Sequence, residues 1–153
     1  MNDLSFFLKK NVIPVEHVKF VASKRFVEPV LDKNGKETGK TKPIEWEIAA
    51  IDTEIDEQLR KECTKRIPIA GKRGQFTQEL DTSKYIGKMC AVCTVFPNLN
   101  DVTLQNDYEV KSADSLLKAM LTSGEYADYS AKVAEINGFD TSMEELVEEA
   151  KNE

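Results

Sequence analysis

Cys90, Ala91, Val92 and Cys93 form the one spacing in this sequence that suits metal binding or thiol–disulfide exchange. A structural zinc site needs four ligands, and the remaining thiol and imidazole are Cys63 and His17. Those four would have to converge from a strand and two helices, and one CxxC without a second pair is weak ground for that. Redox catalysis wants the pair at a helix N-terminus after a strand, where the dipole lowers the thiol pKa. Here it falls deep in an apolar helical stretch with Met89, Val92 and Val95, so the expectation is buried core cysteines and no cofactor.

Other constellations fail on spacing. Asp52, Glu54, Asp56 and Glu57 resemble the opening of a calcium loop, but Glu57 stands where the loop needs glycine and Cys63 where it needs glutamate. These acids are expected to offset the positive end of a helix instead. Gly71 and Lys72 suggest a phosphate loop, but Arg66 replaces its first glycine and Arg73 its hydroxyl residue. His17 sits in a run of alternating polarity, and no serine or cysteine has a local partner motif, so no catalysis is expected. From Arg60 to Arg73 there are six Lys or Arg against one acid, Glu62. That stretch reads as a solvated face, or as a patch for an acidic partner or nucleic acid.

The elements that must position these residues belong to a chain of 153 residues, enough for one domain and a tail. Its 41% hydrophobic and 31% charged residues describe a globular protein able to bury a core without disulfides. The 21 basic and 27 acidic residues give a net charge of -6, which disfavours nucleic acid and anionic lipid as partners. The longest apolar stretch, Met89 to Phe96, falls far short of the ~20 residues of a membrane span. No signal peptide is legible before Lys10, and three cysteines suit a reducing cytoplasm.

Asp3 to Lys10 reads as a short amphipathic helix, with Leu4, Phe7 and Leu8 on one face. Val15 to Leu31 follows a period of two, with Val18, Phe20 and Ala22 together. Asn34 and Gly35 predict a hairpin turn, and Ile44 to Ile51 a strand whose Trp46 and Ile48 alternate with Glu45 and Glu47. Gly39 and Pro43 suggest a long loop between them, and Pro29 an edge or bulge.

Everything after Asp52 reads as helical. Helices are expected from Thr53 to about Arg66, from Asp81 or Thr82 to about Phe96, from Val102 to Asp107, after a Ser112 cap, and from Ser123 to a cap at Gly138. A polar connection holds Pro68, Gly71 and Gly74. Thr141 with Glu144, or Ser142 with Glu145, offers a capping box for a last acidic helix. The fold class is α+β: a short N-terminal helix and small antiparallel sheet, then a mainly helical bundle over residues 1–139, with an acidic helix or tail over 140–153.

Leu116, Leu117, Met120, Leu121, Tyr126 and Tyr129 form an adaptable apolar run on two short helices. Its use is core packing or a groove for a helical client, and Leu116, Met120, Leu121, Tyr126 and Tyr129 are the expected partner-binding residues.

Several strings, in their order, resemble the tail assembly chaperones of tailed bacteriophages and defective prophages, the XkdN-like, PBSX-type group. They are Ser5 to Leu8; Ala22 to Phe26; Leu59 to Thr64; Thr94 to Asp101; and Leu116 to Met120 leading to Gly124, Glu125 and Tyr126. The resemblance runs from about residue 4 to residue 139 and implies a non-enzymatic protein without cofactor, working in the bacterial host cytoplasm and absent from the mature virion. It further implies that the protein binds the tape measure protein, keeping it soluble during tail assembly. The tail tube protein is a second expected partner, and self-association stays open. No nucleic acid or membrane partner is expected. The competing reading is a structural tail or portal-region component of the particle.

Overall fold

A computed structural model of the chain describes residues 3–139. Seven strands and five α-helices follow one another in the order β1 (Val18–Phe20), β2 (Val27–Leu31), β3 (Glu37–Pro43), β4 (Trp46–Ile48), α1 (Thr53–Glu62), β5 (Thr64–Pro68), β6 (Phe76–Leu80), α2 (Thr82–Cys93), β7 (Thr94–Phe96), α3 (Val102–Asp107), α4 (Ala113–Met120) and α5 (Ser123–Ile136). The fold class is α+β, as the sequence pattern indicates.

The central sheet has the order β1-β4-β7, antiparallel throughout. Its register sets Phe20 opposite Trp46 and Val18 opposite Ile48. Alternation then turns Trp46 and Ile48 inward, both essentially without solvent exposure, and turns Glu47 outward. Trp46 meets Tyr129 of α5 edge-on at 5.5 Å between ring centroids and Phe26 at 6.2 Å, while Phe20 lies 6.1 Å from Tyr129. Aromatic pairs at these separations add to the burial term and tie the sheet to α5. The rest of the core comes from α2 (Tyr85, Ile86, Met89, Cys90, Cys93), α4 (Leu116, Leu117, Met120) and Val133 of α5.

Each helix begins where a short polar side chain can satisfy its free amides. Asp52 caps α1, Asp81 caps α2, Asp101 caps α3 and Ser112 caps α4. Thr122 and Glu125 form a reciprocal capping box at α5. Gly138, at φ 72°, ends that helix in the left-handed conformation expected of it.

Four expectations are corrected. Residues 4–11 form two 3-10 turns, Leu4–Phe7 and Lys9–Asn11, with no buried residue; a segment this short with nothing to pack against does not sustain an α-helix. Val15 to Leu31 is not one strand, because β1 joins the central sheet while β2 pairs with β3. The turn at Asn34 and Gly35 is present, with Gly35 at φ 80°, but the strand returning from it is Glu37–Pro43 rather than Ile44–Ile51. Every residue of β3 is exposed, so it carries no inside–outside alternation to read.

The region after Asp52 is also not wholly helical. Helix α1 stops at Glu62, and β5 and β6 form a second hairpin turned by Gly71 and Gly74 at φ 77°. Thr94–Phe96 leaves α2 as a strand, in keeping with its β-branched Thr94 and Val95. The capping boxes at Thr141 and Ser142, and the 140–153 segment, lie outside the described residues.

Trp46→Ala is expected to cost about 3–5 kcal/mol of stability, the usual range for removing a fully buried tryptophan. Lys40→Ala on exposed β3 should stay within about 0.5 kcal/mol. Urea unfolding followed by circular dichroism checks both.

Candidate interaction surface

The three cysteines are free and buried. Cys90 Sγ lies 3.6 Å from Ser130 Oγ; Asn137 Nδ2 donates to Cys93 Sγ at 3.4 Å. Burial pushes the Cys90 thiol up to about 12 and raises those of Cys63 and Cys93 as well. These are protonated thiols at neutral pH, the opposite of the thiolate that zinc or disulfide exchange requires. Among the described residues no group of three His, Cys, Asp or Glu side chains is placed to hold a metal ion. His17 Nδ1 bonds Glu47 Oε1 at 2.6 Å on the exposed outer face of the sheet.

The basic stretch divides. Arg60 pairs with Asp56 at 3.2 Å and lies 4.6 Å from the centroid of the Tyr85 ring, so it serves the α1–α2 contact. Arg66 lies over Phe76 at 4.3 Å, across the β5–β6 hairpin. Lys61, Lys65, Lys72 and Arg73 are solvent-exposed.

The structure brings the five expected partner-binding residues together, but in the interior. Leu116 and Tyr129 are fully buried, Met120 and Leu121 nearly so, and Tyr126 is half-buried with its hydroxyl enclosed. Burial also pushes the Tyr126 and Tyr129 hydroxyls upward in pKa. In this conformation these side chains fill the core between α2, α4 and α5, so they do not form an open groove.

Exposed apolar surface lies elsewhere, and two of its patches bear on binding. The first is an apolar depression of about 270 Å³ between the central sheet and α3, floored by Trp46 and Met120 and walled by Phe26, Ile44, Phe96, Pro97, Leu104 and Tyr108. Phe96 is half-exposed there because its strand is a sheet edge, and Asp107 marks the rim. Ile44 and Phe96 also border a polar depression of about 490 Å³ containing Lys19, Glu28, Lys42, Glu45 and Glu47. The apolar depression is smaller than the ~300–1,000 Å³ of sites for drug-sized ligands and suits a large side chain of a protein partner. The second place is the N-terminal arm before β1, where Leu4, Phe6, Phe7, Leu8, Val12, Ile13 and Val15 range from 48% to 85% exposed. Clustered large apolar residues at such exposure mark interaction surfaces.

Arg25 braces the wall of the apolar depression. Its Nη2 donates to the Met120 carbonyl at 2.7 Å and to Glu125 Oε1 at 3.3 Å, and its guanidinium lies 5.6 Å from the Phe26 ring centroid. The Thr122 backbone amide, then the Ser23 hydroxyl and Arg25, hold the Glu125 carboxyl down to about 2. The segment Ala22 to Phe26 is thereby fastened to the α4–α5 turn. An Arg25 contact across 95 residues leaves no local sequence signal, which is why the depression was not legible beforehand.

The fold agrees with what the chain is similar to. Residues 4–151 match the family described as Phage XkdN-like tail assembly chaperone protein, and the chain belongs to that family of phage tail assembly proteins. Two relatives from Bacillus subtilis strain 168 align over 151 residues, 98% of this chain. One is YqbN, 36% identical and covered over 93% of its length; the other is the phage-like element PBSX protein XkdN, 34% identical and covered over 94%. The crystal structure of the protein YqbN superposes with a TM-score of 0.68 at 30% identity, over 92% of this chain and 99% of that one.

Two outcomes are expected. Ellman's reagent at pH 8 should react with Cys90 in the folded protein roughly 10³-fold more slowly than with free cysteine; in urea all three thiols should react at ordinary rates. For Glu125, the folded carboxyl lies below its ordinary 4.5, so its stabilisation is complete above that pH and declines as pH falls towards about 2. The difference in Tm between wild type and Glu125→Gln should therefore be largest near neutrality and vanish near pH 2.

Proposed function

We propose that this protein binds the tape measure protein of its phage or prophage and keeps it soluble in the host cytoplasm until the tail tube assembles. Membership of the tail assembly chaperone family over residues 4–151 carries the reading. A tape measure protein is a long, largely helical chain whose apolar faces aggregate when uncovered. The apolar depression around Phe96 and the N-terminal arm offer cover for such faces, and the net charge of -6 adds repulsion that keeps a complex dispersed. Such contacts act by binding alone, and a chaperone of this kind leaves before the particle is finished.

Co-expression with the tape measure protein tests it. A soluble complex that persists at high salt is expected, since apolar contacts are not screened. Phe96→Asp, at a half-exposed position, should weaken the complex ~10-fold or more with the fold intact. A client that stays insoluble with the protein present overturns the proposal, and stoichiometric recovery of the protein in purified tails assigns it to the particle instead.

A further inference from the structure

We propose that residues 142–151 form a helix whose apolar face lies in the groove between α5 and β1 of its own chain. The groove, about 860 Å³, is lined by Phe20 of β1, by Ala131 and Ala134 of α5 and by Phe139 just beyond it. Phe20 and Phe139 are half-buried and pack against the core, so among the described residues this face is an uncovered extension of the interior. It shares no lining residue with the Phe96 depression or with the N-terminal arm, the surfaces proposed to meet the client. The chain arrives at the rim of this groove. The Gly138 amide donates to the Glu135 carbonyl and the Phe139 amide to the Ala134 carbonyl, both at 3.0 Å. This paired closure ends α5 and, with Gly138 at φ 72°, turns the backbone out of the helix.

Pattern, length and connection point to residues 142–151 as the occupant. Met143, Leu146, Val147 and Ala150 recur at helical spacing after a Thr141 or Ser142 cap, and Glu144, Glu145, Glu148 and Glu149 fall away from that stripe. The connection from Gly138 to the cap is residues 138–140 or 138–141, within the ~2–5 residues that join two antiparallel helices in a hairpin. Such a hairpin runs the new helix back along α5, where the groove extends from Asp128 to Gly138, ~15 Å at the helical rise. Residues 142–151 as a helix are also ~15 Å long and, at ~10 Å across, fill ~1,200 Å³, so a groove of about 860 Å³ takes the apolar side and leaves the acids in water. The groove needs no net positive charge for this, and its own Lys132 and Glu135 already pair at 3.4 Å. A tether this short gives the chain's own segment a high effective concentration, which favours it over a second copy. The family match runs through residue 151, so the stretch lies within the shared domain. The inference stands independently of which client the protein binds.

Hydrogen–deuterium exchange of the full chain, with no client present, tests it. A helix this short is marginal in water by itself, so protection of its amides reports docking. In wild type the amides of residues 143–150 should exchange ~10-fold or more slowly than in an unfolded chain, equally at high and low protein concentration. Leu146→Asp/Val147→Asp on the helix and Ala131→Asp in the groove should each return them to the unfolded rate. The amides of α2 and α4 should keep their protection in both variants, because Ala131 is exposed. Wild-type residues 143–150 exchanging at the unfolded rate overturn the proposal. So does protection that survives Ala131→Asp, which places the helix elsewhere, or protection lost on dilution, which gives the groove to a second copy.

Discussion

Burial of Trp46 and Ile48 on the middle strand is the constraint around which the rest of the structure is arranged. Strands of three residues form too few ladder hydrogen bonds to hold a sheet by themselves, so β1, β4 and β7 exist because helices cover one of their faces. The cover has to be continuous, since an indole ring exposed on one side would forfeit much of its burial. Tyr129 closes it from α5, Met120 from the end of α4 and Phe26 from the segment leading into β2. Arg25 then fixes that segment to the α4–α5 turn through the Met120 carbonyl and Glu125. Sheet, turn and helices thus settle together, and a change at one is felt at the others.

Much of this was legible where side chains report on their surroundings. The alternation at Trp46, Glu47 and Ile48, the starts of α2, α4 and α5, the turn at Asn34–Gly35 and the C-terminal cap at Gly138 each leave a local mark, and each is found close to where the pattern puts it. Strands β3, β5 and β6 were missed because they bury no residue, and an exposed ribbon has no periodicity to distinguish it from a loop. The partner-binding residues show the reverse difficulty. Leu116, Met120 and Tyr129 have the composition of an adaptable surface, but composition does not separate core from interface, and the helical pairing that buries them is set by contacts distant in sequence.

The separation between a sealed interior and an apolar exterior accounts for the character of the site. The thiols that looked most capable of chemistry are held neutral by burial, and the tyrosines that looked available to a partner are occupied in the core. What remains accessible is shape and hydrophobicity: a small depression beside Phe96 and an arm of large apolar side chains. For a member of the tail assembly chaperone family such equipment suits contact with other proteins through apolar side chains.

The two outlying ribbons, β2–β3 and β5–β6, add a different property. Neither lends a buried side chain to the interior, and each ends in a tip where glycine carries the turn. Extra residues inserted at such tips lengthen the ribbon without disturbing its base, because the loop-closure cost rises only slowly with length. The Gly71–Gly74 tip is therefore a natural attachment point for a fluorophore or an epitope, and the scaffold can gain or lose reach there while the same core is retained.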